Sequence, residues 1–149
     1  MKTIVVALDY SESTPVVLNA AVELAQAFGA SLHLLHVLEA EPAYTAYGFT
    51  PDEFPAIHLF QEEARKRAAV KLDELLATVP SDIGDVRTKL VEGAPLHAIL
   101  DYAKDIRADL VVLGSHGHGV VASILLGSVA EGLVRKAEYP TLVVPVRRG

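Results

Sequence analysis

The sequence predicts an α/β fold: a single-domain five-stranded parallel sheet, order 3-2-1-4-5, with helices on both faces. Three observations carry that expectation. Short apolar runs alternate with longer amphipathic stretches from one end to the other, the pattern of β-α units in a parallel sheet. The first run, Thr3–Leu8, is apolar on both faces, as a central strand must be. The chain has 149 residues and is 51% hydrophobic, enough for one core and one domain over 1–149.

After the first strand, Ser13-Thr14-Pro15 opens a helix, with Thr14 as cap and Pro15 in the first turn. Val17, Ala21, Leu24 and Phe28 fall on one helical face, and Gly29 stops the helix. Ser31–Leu38 reads as the second strand. Glu41 to about Pro55 is irregular and contains Tyr44 and Tyr47. Ile57 to Val79 predicts a long helix with Ala64, Ala68, Leu72 and Leu75 inward. Its outer side offers the pairs Glu62/Lys66 and Glu63/Arg67, four residues apart. Val86–Val91 is the third strand, and Pro95 leads a helix that uses Leu96, Ile99, Leu100 and Ala103. Asp109–Leu113 is the fourth strand, Ser128 to about Ala137 the last helix, and Thr141–Val146 the fifth strand. Crossovers between these strands are right-handed by rule.

In a 3-2-1-4-5 sheet the winding reverses between the first and fourth strands, and ligands bind outside the carboxyl ends of those strands. The residues at those ends are Asp9 and Gly114. Gly114 opens a glycine-rich loop, Gly114-Ser-His-Gly117-His-Gly119, that runs on to Gly127-Ser128-Val129. Glycines let a backbone approach an anion, and the start of the following helix supplies unpaired amides. The spacing Gly114-x4-Gly119 resembles a Walker loop, yet Val120 and Val121 stand where Lys and Ser/Thr belong. No Lys or Arg lies between Gly114 and Val134. A phosphate here would rest on amides, hydroxyls, His116, His118 and a divalent ion. Such a set suits binding better than rapid phosphoryl transfer, which uses cationic clamps.

Composition narrows the classes further. Thirteen Lys+Arg against nineteen Asp+Glu leave a net charge of −6, unsuited to a nucleic-acid backbone. No run approaches the roughly 20 apolar residues of a membrane span. There is no cysteine, which removes disulfides and thiolate chemistry. A cytoplasmic location is expected.

Gly114-x2-Gly117-x9-Gly127-Ser128 resembles the nucleotide-binding signature of the universal stress protein family. The likeness extends to Ile-Val-Val-Ala-Leu-Asp9-Tyr-Ser, His36-Val37, Val91-Glu-Gly-Ala-Pro95 and Gly127-Ser-Val-Ala-Glu131, and on into Pro140-Thr-Leu-Val-Val-Pro145. The resemblance implies an ATP-binding, nucleotide-dependent sensor or regulator of the stress response. AMP or a related adenine nucleotide is an alternative ligand, and Mg2+ would join through the phosphates. It further implies that Asp9 lies beside ribose and phosphates, that the Val37 backbone pairs with adenine, and that Leu113 and Gly114 flank the ribose. Gly117, Gly127, Ser128 and Val129 would cradle the phosphates. His118 stands where relatives often have Arg. A homodimer through Thr141–Val146 is implied too, and would cover an apolar edge strand.

Other readings of the same residues stay open. The fold could serve a slow ATPase or nucleotide transferase, a dimeric interaction module without nucleotide, or a flavin carrier. Asp9 could simply cap the following turn. Ser128-x-x-Glu131 is also a capping-box pattern. His33 and His36, three apart on a strand, face opposite sides and cannot chelate one metal. Ser115, His116 and Asp9 hold the residue types of a hydrolase triad but lack the G-x-S-x-G elbow.

Overall fold

The computed structural model describes residues 1–39, 55–116 and 126–146. In chain order the elements are β1 (Thr3–Ala7), α1 (Thr14–Phe28), β2 (Ser31–Leu38), α2 (Pro55–Ala77), β3 (Val86–Glu92), α3 (Pro95–Asp105), β4 (Leu110–Gly114), α4 (Ser128–Lys136) and β5 (Thr141–Val144). The five strands pair in parallel in the order β3-β2-β1-β4-β5, as the alternation of runs predicts.

The period-two alternation of β1 divides the core. Ile4, Val6 and Leu8 pack with α1 and with Leu72 of α2. Val5 points the other way, toward Ile99, Leu100 and Ala103 of α3 and Ala130 and Leu133 of α4. β2 and β4 repeat the division, with Leu32, Leu34, Leu110 and Val112 on the first face and Leu35, Val111 and Leu113 on the second. The sheet is therefore covered on both sides, and a cleft opens at its carboxyl edge. Gly132 lets the two helices of the second face approach closely: a methyl group there would come within 2.6 Å of the Leu96 side chain.

Several local expectations need correction. Thr14 is the first residue of α1 rather than its cap; Ser13 takes the cap position with no side-chain cap bond. The Ser13 hydroxyl pairs with that of Ser11 at 2.7 Å, which occupies it. Phe28, the last residue of α1, is 54% exposed, and the buried face is Val17, Leu18, Ala21, Val22 and Ala25. On α2, Glu62 pairs with His58 and Arg65 reaches across to Glu92 of β3. These take the place of the expected Glu62/Lys66 and Glu63/Arg67 pairs. β5 stops at Val144 because Pro145 has no N–H with which to extend the ladder. Tyr44, Tyr47, Gly117, His118 and Gly119 lie outside the described residues.

Candidate functional site

A cavity of about 540 Å³ opens at the carboxyl edge of the sheet, where β1 and β4 diverge. That volume lies within the range of small-molecule sites, roughly 300–1,000 Å³. The sequence places Asp9, Val37, Leu113, Gly114, Gly127, Ser128 and Val129 at a candidate site, and all of them line this one cavity. They come from the ends of three strands and the start of α4. Parallel winding at the switch point brings them together across more than 100 residues of chain.

Each wall has its own local cause. Asp9 follows β1, and its Oδ1 accepts the Ser11 N–H at 2.9 Å, so the carboxylate closes the turn that leads to α1. Gly114 ends β4 where the chain is tightly enclosed. A Cβ there would come within 3.2 Å of both Val17 and Val146 side chains. Ser115 then anchors the loop base. Its carbonyl accepts the Gly127 N–H at 2.6 Å, and its N–H donates to the Val144 carbonyl at 2.9 Å. Its hydroxyl accepts the Val146 N–H at 3.0 Å. Thus the loop start, the loop end and the chain beyond β5 meet on one residue.

One expectation about this loop is overturned. The capping box Ser128-x-x-Glu131 does not form, because Gly127 takes the cap position with no side-chain bond. The Glu131 carboxylate turns instead to Arg135, four residues on. As at the start of any helix, the first amides of α4 lack acceptors within the helix, so its amino end brings positive potential to the cavity wall. The neighbouring Ser115 and His116 do hydrogen-bond, Oγ to Nδ1, at 2.9 Å. Because the same hydroxyl already accepts the Val146 N–H, Ser115 fastens segments rather than standing free as a nucleophile.

Sequence reasoning missed much of the wall on the α1 side. Tyr10 adopts a left-handed backbone with φ of 63°, an uncommon conformation for a bulky residue. Its ring stacks on His36, with centroids 3.7 Å apart and planes 13° from parallel. Its hydroxyl donates to the Ala68 carbonyl at 2.6 Å. Burial, reinforced by the Asp73 carboxylate, pushes this phenol up to about 12. His36 Nδ1 lies 2.6 Å from the Leu8 carbonyl; a carbonyl only accepts, so that nitrogen carries the proton. Lys71 of α2 also lines the cavity. A fixed cation is therefore present at the site although none stands in the glycine loop. No sequence pattern distinguishes Lys71 from its solvated neighbours on α2. Thr14 lines the same cavity, and its buried hydroxyl has no partner among the described residues. An orphaned buried hydroxyl costs roughly 1–3 kcal/mol, a cost commonly retained at binding sites.

His33 faces away from this wall. Its Nδ1 meets the Tyr102 hydroxyl of α3 at 2.7 Å, on the opposite side of the sheet from the His36–Tyr10 stack. Burial lowers its pKa, and Arg87 lowers it further against the opposing pull of Asp85.

The model of the universal stress protein family matches residues 1–145. A universal stress protein of Thermus aquaticus is 34% identical over 145 residues, covering 96% of this chain and 98% of the relative. The solved structure of protein MJ0577 has a TM-score of 0.79 at 28% identity and covers 99% of this chain and 98% of its own; MJ0577 comes from Methanocaldococcus jannaschii. A universal stress protein in complex with cAMP has a TM-score of 0.60 at 26% identity, with 97% and 96% covered. One from Archaeoglobus fulgidus in complex with dAMP has a TM-score of 0.64 at 25% identity, with 99% and 98% covered.

Proposed function

The chain belongs to the universal stress protein family, and on that premise we propose that its cleft binds an adenine nucleotide, ATP with Mg2+ foremost. Binding would make the protein a nucleotide-dependent sensor or regulator in the cytoplasm. The observation that carries this reading is the convergence of Asp9, Val37, Leu113, Gly114, Gly127, Ser128 and Val129 on one cavity of suitable volume. Two solved relatives are complexes with the adenine nucleotides cAMP and dAMP, which supports the ligand class.

In the proposed mode the Val37 backbone pairs with adenine, and Leu113 and Gly114 flank the ribose. Asp9 has Oδ1 engaged by Ser11 and retains Oδ2 for a ribose hydroxyl. Phosphates lie at the amino end of α4, where leading amides and the helix dipole favour an anion. Gly117 joins that cradle by the loop signature. Mg2+ supplies charge neutralisation through the phosphates. A homodimer through β5 completes the proposal, since β5 is a sheet edge with Leu142 37% exposed.

Calorimetric titration of ATP with Mg2+ into nucleotide-free protein tests the reading. Wild type is expected to bind. Asp9→Asn keeps an acceptor for Ser11 but loses the carboxylate, and should weaken binding about tenfold or more. Absence of binding up to millimolar ATP, AMP and cAMP would overturn the proposal.

A further inference from the structure

Among the described side chains that line the cleft, the balance of charge is unfavourable to a phosphate ligand but for one residue. Among its described lining residues, Asp9 and Glu39 bring carboxylates, and Lys71 is the side chain of fixed positive charge. Lys71 arrives from a distant element. α2 packs against β2 and β3 and buries Ala68 and Leu72 in the core. Lys71, between them in sequence, is exposed. Its Nζ nevertheless lies over the Tyr10 ring, 5.4 Å from the centroid, at the end of β1 beside the switch point.

Tyr10 explains that placement. Its hydroxyl bond to the Ala68 carbonyl ties α2 to the end of β1, one turn before Lys71. Its stack on His36 holds the ring in position over the sheet edge. A lysine ammonium 5.4 Å from the centroid of a ring is loosely held, and its four-carbon stem has several rotatable bonds. It can leave the ring for a stronger anionic partner without disturbing the fold.

We infer that Lys71 is the charge-selecting residue of the cleft, moving from the Tyr10 ring to a ligand phosphate. It thereby makes the cleft prefer phosphate-bearing adenine ligands over the uncharged nucleoside. α4 belongs to the opposite face of the sheet, so the phosphates gain helix-end amides from one side and an ammonium from the other. The inference rests on the nucleotide reading of this cleft and adds the residue that sets its charge preference.

The test is titration of ATP, AMP and adenosine into wild type, Lys71→Met, Lys71→Gln and Lys71→Arg, each checked for native circular dichroism. Both neutral variants should bind ATP about tenfold more weakly, with adenosine held within about twofold, and Lys71→Arg should keep ATP within about threefold. The ATP affinity of wild type should also fall more steeply with added salt than that of Lys71→Met. Unchanged ATP affinity in Lys71→Met and Lys71→Gln, or equal losses for ATP and adenosine, would overturn this role and leave the nucleotide reading intact. Wild type that binds none of the three ligands would overturn both.

Discussion

At the scale of single residues, the two strand histidines show how one residue type takes different duties on the two faces of a sheet. His36 is a wall of the cleft, proton on Nδ1, bonded to Leu8 and stacked on Tyr10. His33 is a core residue whose Nδ1 meets Tyr102, and burial favours its neutral form. The stability consequence has a definite sign. An unfolded histidine titrates near about 6.5 and the folded one lower, so below about pH 6.5 the unfolded chain binds more protons. The contribution of His33 is complete above that value and is lost as pH falls toward the folded pKa. Thermal melts should therefore show wild type losing stability more steeply than His33→Asn as pH is lowered from 7 to 5. Parallel slopes would show that His33 does not control this window. The period-two rule separated the two histidines from sequence alone, but their partners come from α3 and from the residues just after β1, far away in sequence.

Between elements, Ser115 has more structural influence than its place in a loop suggests. Its backbone bonds the loop end at Gly127 and the end of β5 at Val144, and its hydroxyl holds Val146. Pro145 makes that contact necessary, because the ladder ends there and the chain needs another anchor. Ser115→Ala removes the acceptor of the Val146 N–H in a buried position. Denaturant unfolding should show a loss of about 1–2 kcal/mol, with the cleft less well ordered at the α4 side. A change within about 0.5 kcal/mol, the range of ordinary surface substitutions, would mean that water replaces the serine without penalty. The same scale explains the failed capping predictions. Thr14 and Ser128 match capping patterns, yet Ser13 takes the cap position of α1 and Gly127 that of α4. Cap chemistry is decided by where the chain enters the helix, and that direction is set by the turns before it.

For the molecule as a whole, the open question is its edges. The sheet ends on β3 at one side and β5 at the other. β3 is partly guarded by exposed charges, Arg87, Lys89 and Glu92, whereas β5 shows Leu142 and is blunted only by Pro145 beyond its end. An apolar edge of this kind invites pairing with a second copy. Sedimentation velocity should find a dimer for wild type, and Leu142→Arg should shift it toward monomer while near-native circular dichroism is kept. A monomeric wild type at tens of micromolar, or a dimer indifferent to Leu142→Arg, would move the interface elsewhere or remove it.

The sequence by itself determined the β/α alternation, the strand order and the switch point. These follow from local periodicity, turn residues and the chirality of crossovers, which act over a few residues at a time. The switch point and the glycine spacing likewise marked Asp9, Gly114 and the loop that runs to Gly127 and Ser128, whereas Val37, Leu113 and Val129 were implied by the family resemblance. Tertiary structure alone decided the wall made by Tyr10, His36, Thr14 and Lys71. Apart from the strand alternation that sets the face of His36, none of these has a spacing signal. Lys71 looks like any solvated helical lysine until α2 is docked, and Tyr10 gains its place only when its hydroxyl reaches the Ala68 carbonyl across 58 residues. Periodicity reports which face of an element is buried; which side chains meet across elements depends on docking geometry, and no local pattern encodes it.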